Sequence, residues 1–94
     1  MAGNLAMRTE FLWLIYDHIQ KNPERLNDAT EIAREIMGAT TTTHKGKVQN
    51  RIFERVAEDA LGCLKVAGLI RHEHGAGYHP RRWLDRKQFG QMFE

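Results

Sequence analysis

The sequence predicts a mainly α-helical domain that closes with a small β-hairpin. Three observations predict it. Apolar residues recur at helical spacing in three separate segments before residue 67. The run Ala60-Leu61-Gly62-Cys63-Leu64-Lys65-Val66-Ala67-Gly68-Leu69-Ile70 reads as a helix stopped at a glycine and followed by a strand. His74-Gly75-Ala76-Gly77 then supplies a turn whose two glycines are free to take positive φ.

The first helix is expected from about Thr9 to Lys21, with Thr9 as N-cap and Phe11, Leu12, Ile15 and Ile19 on one side. Asn22-Pro23 ends it, because a residue before proline avoids the helical region. Phe11 to Tyr16 is apolar almost all the way round, whereas a surface helix needs only one apolar stripe. Trp13 and Leu14 therefore need cover, either from the C-terminal segment or from a second subunit across a dimer interface.

Asp28-Ala29-Thr30-Glu31 has the spacing of a capping box and opens a second helix. Ala29, Ile32, Ala33, Ile36 and Met37 follow at helical spacing, and Gly38 stops the run. Residues 39–46 contain four consecutive threonines and Gly46, and read as a polar connection. The third helix is expected from about Lys47 to Ala67. Val48, Ile52, Phe53, Val56, Ala57, Ala60, Leu61 and Leu64 form its inward face.

Leu69 to His72 reads as a strand and Tyr78-His79 as its return, with Pro80 limiting the pairing. Trp83 to Phe93 is expected to form a last helix docked through Leu84, Met92 and Phe93. Phe11, Phe53 and Trp83 are assigned to packing positions. No repeat or linker divides the chain, so residues 1–94 are expected to form one domain. Its core would cover about 9–80 and a C-terminal extension about 83–94.

A 41% hydrophobic and 28% charged composition is that of a folded domain rather than a disordered tail. Cys63 is the only cysteine, which excludes an internal disulfide and a paired-cysteine zinc knuckle. It is expected to be a buried structural thiol. No apolar stretch approaches the roughly 18 residues of a membrane helix, and the first residues do not read as a signal peptide. The expected location is the cytoplasm, away from membranes. Residues 1–43 carry four Lys and Arg against six Asp and Glu, whereas residues 44–94 carry ten against six. The excess positive charge falls on the third helix and hairpin, as a nucleic-acid face requires.

The order helix, helix, helix, strand, hairpin resembles the winged helix-turn-helix superfamily. Ala60-Leu61-x-x-Leu64-Lys65-x-Ala67-Gly68-Leu69-Ile70 is most similar to the junction in the N-terminal winged-helix module of Mrr-type restriction proteins and related bacterial regulators. The close match covers about twenty residues and the topology about residues 9–80. The resemblance implies a DNA-binding module of three helices plus a two-stranded wing. What remains of the chain is too short for a restriction nuclease domain.

In such modules the start of the third helix enters the major groove and the wing touches the backbone. Lys45, Lys47, Gln49, Asn50 and Arg51 have side chains suited to phosphate and base contacts. Arg71, His74, Arg81 and Arg82 are the expected wing contacts, with His72 and His79 as further wing histidines. The alternatives are a solvated basic helix end and a plain surface hairpin. Glu54 and Glu58 share the outward face with Arg51 and Arg55, and the pairs Arg51–Glu54, Arg55–Glu58 and Arg55–Asp59 are spaced to meet. That acidic face confines DNA contact to the first two turns.

His72-x-His74 with His79 or Cys63 matches no zinc spacing, so neither a metal nor another cofactor is expected. Gly75-x-Gly77 does not open a helix, so it is not a phosphate-cradling loop. The expected function is a small DNA-binding transcriptional regulator that acts by occupying its site on double-stranded DNA, as a monomer or homodimer. The alternative is a protein–protein interaction module without DNA binding, an adaptor or small inhibitor of a nucleic-acid enzyme. An enzyme is not expected.

Overall fold

A computed structural model describes residues 2–39 and 44–93, with side chains for residues 8–39 and 49–93. The elements are α1 (Ala2–Lys21), α2 (Ala29–Met37), α3 (His44–Val66), β1 (Ile70–Glu73), β2 (Gly77–Pro80) and α4 (Arg86–Phe93). This is the mainly helical layout with one hairpin that the sequence predicts, with the fourth helix present.

α1 starts at Ala2, well before the expected Thr9. Ala2, Leu5, Ala6 and Met7 are good helix formers and extend the helix N-terminally. Thr9 is therefore an interior residue, only 3% exposed, and not a cap. Leu12, Ile15, Tyr16 and Ile19 form its buried stripe. Burying such side chains is the main favourable term in a domain this small.

α2 starts as expected. The Asp28 side chain accepts from the Glu31 amide at 2.9 Å, satisfying one orphan N–H of the first turn. The Glu31 carboxylate reaches back to the Asn27 amide at 3.2 Å, one residue earlier than a standard capping box. Ile32 and Ala33 are buried.

α3 runs from His44 straight through Gly46, so the polar connection is shorter than expected. One glycine costs about 1 kcal/mol, which a 23-residue helix tolerates. Its buried stripe is Ala57, Ala60, Leu61 and Leu64. Ile52 and Val56 are not buried as expected; they are 56% and 40% exposed, and Val56 lines a groove against α1. The expected Val48 side chain lies outside the described residues. Helical spacing identifies a face but not where its neighbours end. α3 is about 34 Å long, whereas α2 is about 14 Å.

The helix stop at Gly68 is a Schellman motif. Gly68 has φ +78°, its amide donates to Lys65 at 3.0 Å, and the Leu69 amide donates to Leu64 at 3.0 Å. Leu64 and Leu69 are both fully buried, which supplies the motif's apolar contact. β1 and β2 then pair antiparallel with Ile70 opposite Pro80 and Glu73 opposite Gly77. Pro80 sits at the last pair, where its missing N–H does least harm.

α4 begins later than expected, after Asp85. Asp85 accepts from the Gln88 amide at 2.8 Å and Gln88 Oε1 accepts from the Asp85 amide at 2.9 Å, a reciprocal cap that the Asp-x-x-Gln spacing could have revealed. Phe89 is its buried anchor. Leu84 and Phe93 pack against the core, but Met92 is 42% exposed and Trp83 is 65% exposed. Met92 is not the docking residue expected, and Trp83 does not occupy the packing position expected of it.

Phe89 also accounts for the all-round apolar segment of α1. Its ring lies edge-on to Trp13 and stacked on Tyr16, each with centroids 5.4 Å apart. Phe93 extends the cluster, 4.7 Å from Phe89. The helix is apolar on two sides because α2 and α3 cover one and α4 covers another.

Candidate nucleic-acid interface

The wing is anchored to the body rather than hanging from it. The Tyr78 amide donates to the Leu26 carbonyl at 2.6 Å, so the free edge of β2 is bonded to the chain between α1 and α2. Asn27, buried and at φ +51°, donates from Nδ2 to the carbonyls of Asn22 (2.8 Å), Arg25 (3.2 Å) and Tyr78 (3.3 Å). His79 Nδ1 donates to the Pro23 carbonyl at 2.8 Å. Beside them Arg25 pairs with Glu31 at 2.5 Å and Glu35 at 2.7 Å. The hydrogen bond from Arg25 holds the Glu35 carboxyl below the usual carboxylate range.

The segment after β2 is held on both sides. The Arg81 and Arg82 amides donate to the Leu69 carbonyl at 2.9 and 3.3 Å. The Tyr16 hydroxyl donates to the Arg82 carbonyl and accepts from the Leu84 amide at 3.1 Å. Leu84 also exchanges hydrogen bonds with the Gln20 side chain at 3.0 and 3.1 Å. Burial pushes the Tyr16 hydroxyl above the usual phenol range, against the opposing effects of the Leu84 amide and the Arg82 charge.

On this frame the expected contact residues fall into two groups. Arg71, Arg81 and Arg82 are exposed around the base of the wing, and His74 is exposed in its turn. Among the described residues, Arg81 and Arg82 carry no ion pair. Arg71 pairs with Glu73, two residues on and on the same strand face. An exposed pair of this kind is worth at most about 1 kcal/mol, so a phosphate could displace it.

Gln49 and Arg51 are exposed on α3, and among the described residues Arg51 has no ion pair. Asn50 is half-buried with its Oδ1 shielded from solvent, so it is less accessible to a base edge than its neighbours. Lys45 and Lys47 belong to the first turns of α3, and their side chains lie outside the described residues. About 22 Å of helix axis separates Arg51 from Val66, the end of α3 from which the chain enters the wing.

Several expectations are corrected. The pairs Arg51–Glu54, Arg55–Glu58 and Arg55–Asp59 do not form among the described residues. Suitable spacing brings Cβ atoms near but does not hold long, solvated side chains together. His79 turns into the body, and the His72 ring packs on Tyr78 at 4.7 Å. Among the described residues, no three His, Cys, Asp or Glu side chains converge as metal ligands would. Cys63 is half-buried, not fully buried. It lines a groove of about 230 Å³ between α1 and α3, where Arg8 donates to its Sγ at 3.8 Å.

Trp13 obtains its cover from α4, the first of its two alternatives. Leu14 remains 53% exposed. No helix among the described residues is long and apolar enough to cross a membrane. No protein-family model, curated protein or solved structure matches the chain.

Proposed function

We propose that this winged-helix chain binds double-stranded DNA and regulates transcription by occupying its site. One observation carries the reading. Among the described residues, Arg51, Arg81 and Arg82 are exposed and free of ion pairs, as are Arg34 and Arg55, while Arg25, Arg71 and Arg86 are each held by a carboxylate. A cation whose charge is not spent inside the protein is the one that releases counterions on meeting phosphate.

In this reading Gln49 and Arg51 approach base edges from the α3 surface, together with Lys45, Lys47 and Asn50. Arg71, His74, Arg81 and Arg82 contact phosphates. Glu54 is half-buried and Glu58 is exposed further along α3, which keeps the rest of the helix off the duplex. Fluorescence anisotropy of a labelled duplex over a salt series tests the proposal. Binding that weakens steeply with salt is expected, and no duplex binding at low salt would overturn it.

A further inference from the structure

Trp83 is the largest side chain that the fold leaves outside, at 65% exposure. An aromatic cluster of Trp13, Tyr16, Phe89 and Phe93 lies between α1 and α4, yet Trp83 joins none of its rings. Its backbone is not loose. The residues on either side are pinned, Arg82 by Leu69 and Tyr16, and Leu84 by Tyr16 and Gln20. An indole on a fixed backbone loses little conformational freedom when it binds a partner.

The neighbours indicate what that partner is. Arg81 and Arg82 immediately precede it, both exposed and, among the described residues, without ion pairs. The nearest acid in sequence, Asp85, has its carboxylate committed to the Gln88 amide at the start of α4. A presented aromatic face beside uncommitted arginines is the combination that stacks a base and holds its flanking phosphates. Paired bases offer no free face unless a step is unstacked at a cost. An unpaired base offers one directly.

We infer that Trp83 is a stacking platform for an unpaired base, and that the preferred nucleic acid carries a single-stranded segment beside the duplex. This rests on the DNA-binding reading and names the class of DNA for it. Three DNAs test it by anisotropy: a blunt duplex, the same duplex with an oligothymidylate tail, and the oligothymidylate alone. Trp83→Ala should weaken binding of the tailed duplex about tenfold and leave the blunt duplex unchanged. Trp83→Phe should retain most of the affinity. In Trp13→Phe, where Trp83 is the only tryptophan, the tailed duplex should quench the emission and the blunt duplex should not.

Equal affinity for blunt and tailed duplexes, with Trp83→Ala neutral on both, would overturn the inference and leave duplex binding standing. No binding to any of the three DNAs would remove the parent reading and this one with it, and would favour a protein partner for the exposed indole. The anisotropy comparison on Trp83→Ala does not depend on Trp13→Phe folding, and circular dichroism confirms that each variant is folded.

Discussion

A Cβ placed on Gly77 would stand 1.9 Å from the Leu26 carbonyl oxygen. That oxygen accepts the Tyr78 amide, so the tight approach is the joint between the wing and the body. Gly77 also has φ +82°, a conformation that L side chains rarely adopt. Two independent constraints, torsion and space, therefore meet at one position, and the second involves backbone that cannot rotate away.

Gly77→Ala is expected to cost about 3 kcal/mol or more, and to loosen the wing from the segment between α1 and α2. Gly75→Ala should cost only about 1 kcal/mol, because Gly75 has φ +78° but nothing within 4 Å of a new Cβ. Urea unfolding of the two variants separates the steric contribution from the torsional one.

Tyr16→Phe removes the donor to Arg82 and the acceptor for Leu84, and should cost about 1–3 kcal/mol. Folding raises the Tyr16 pKa, which favours the neutral phenol. Its contribution is therefore fully present below the unfolded value near 10 and is lost as pH rises through the folded value. Wild-type stability should fall on the alkaline side, and Tyr16→Phe should flatten that fall in a pH series of unfolding curves.

Glu35 shows the opposite sign. Its pKa is depressed by Arg25, so its contribution is present above the unfolded value near 4.3 and is lost as pH falls through the folded value. Glu35→Gln should make the acid limb shallower in the same measurement. The pair is solvent-exposed, so the change should shrink further in high salt.

Phe89→Ala should cost about 3–5 kcal/mol, since Phe89 is fully buried and anchors α4. Trp13 would lose its edge-on partner, and its emission should shift to the red. A variant that kept wild-type stability would show that α4 contributes nothing to the core.

Arg81→Ala and Arg82→Ala should each reduce the slope of log affinity against log salt by about 1, uniformly across duplex sequences. Arg71→Ala should have a smaller effect, because binding by Arg71 must first break its pair with Glu73. Anisotropy over a salt series reads all three.

The parts of the fold that were legible in the sequence are those governed by local rules. The stop at Gly68, the Asp28 cap and the glycine-tipped turn all depend on a few neighbouring residues, and each is where the sequence puts it. The start of α1 and the exposure of Ile52, Val56 and Met92 were not legible. Periodicity reports that a face is apolar, but the extent of its burial depends on how far distant segments reach.

The candidate site divides the same way. Sequence alone established the residue types and their unequal distribution, with the cations concentrated after residue 43. Only the tertiary structure decided which of those cations are free. Arg71 and Arg86 find carboxylates in the fold, whereas among the described residues Arg51, Arg55, Arg81 and Arg82 do not. Trp83 makes the same point: its residue type suggests a core, but its exposure depends on Tyr16, Gln20 and Leu69 holding its neighbours from more than ten residues away. Local preference acts through adjacent backbone, and availability to a partner is set by contacts that form only when the chain has folded.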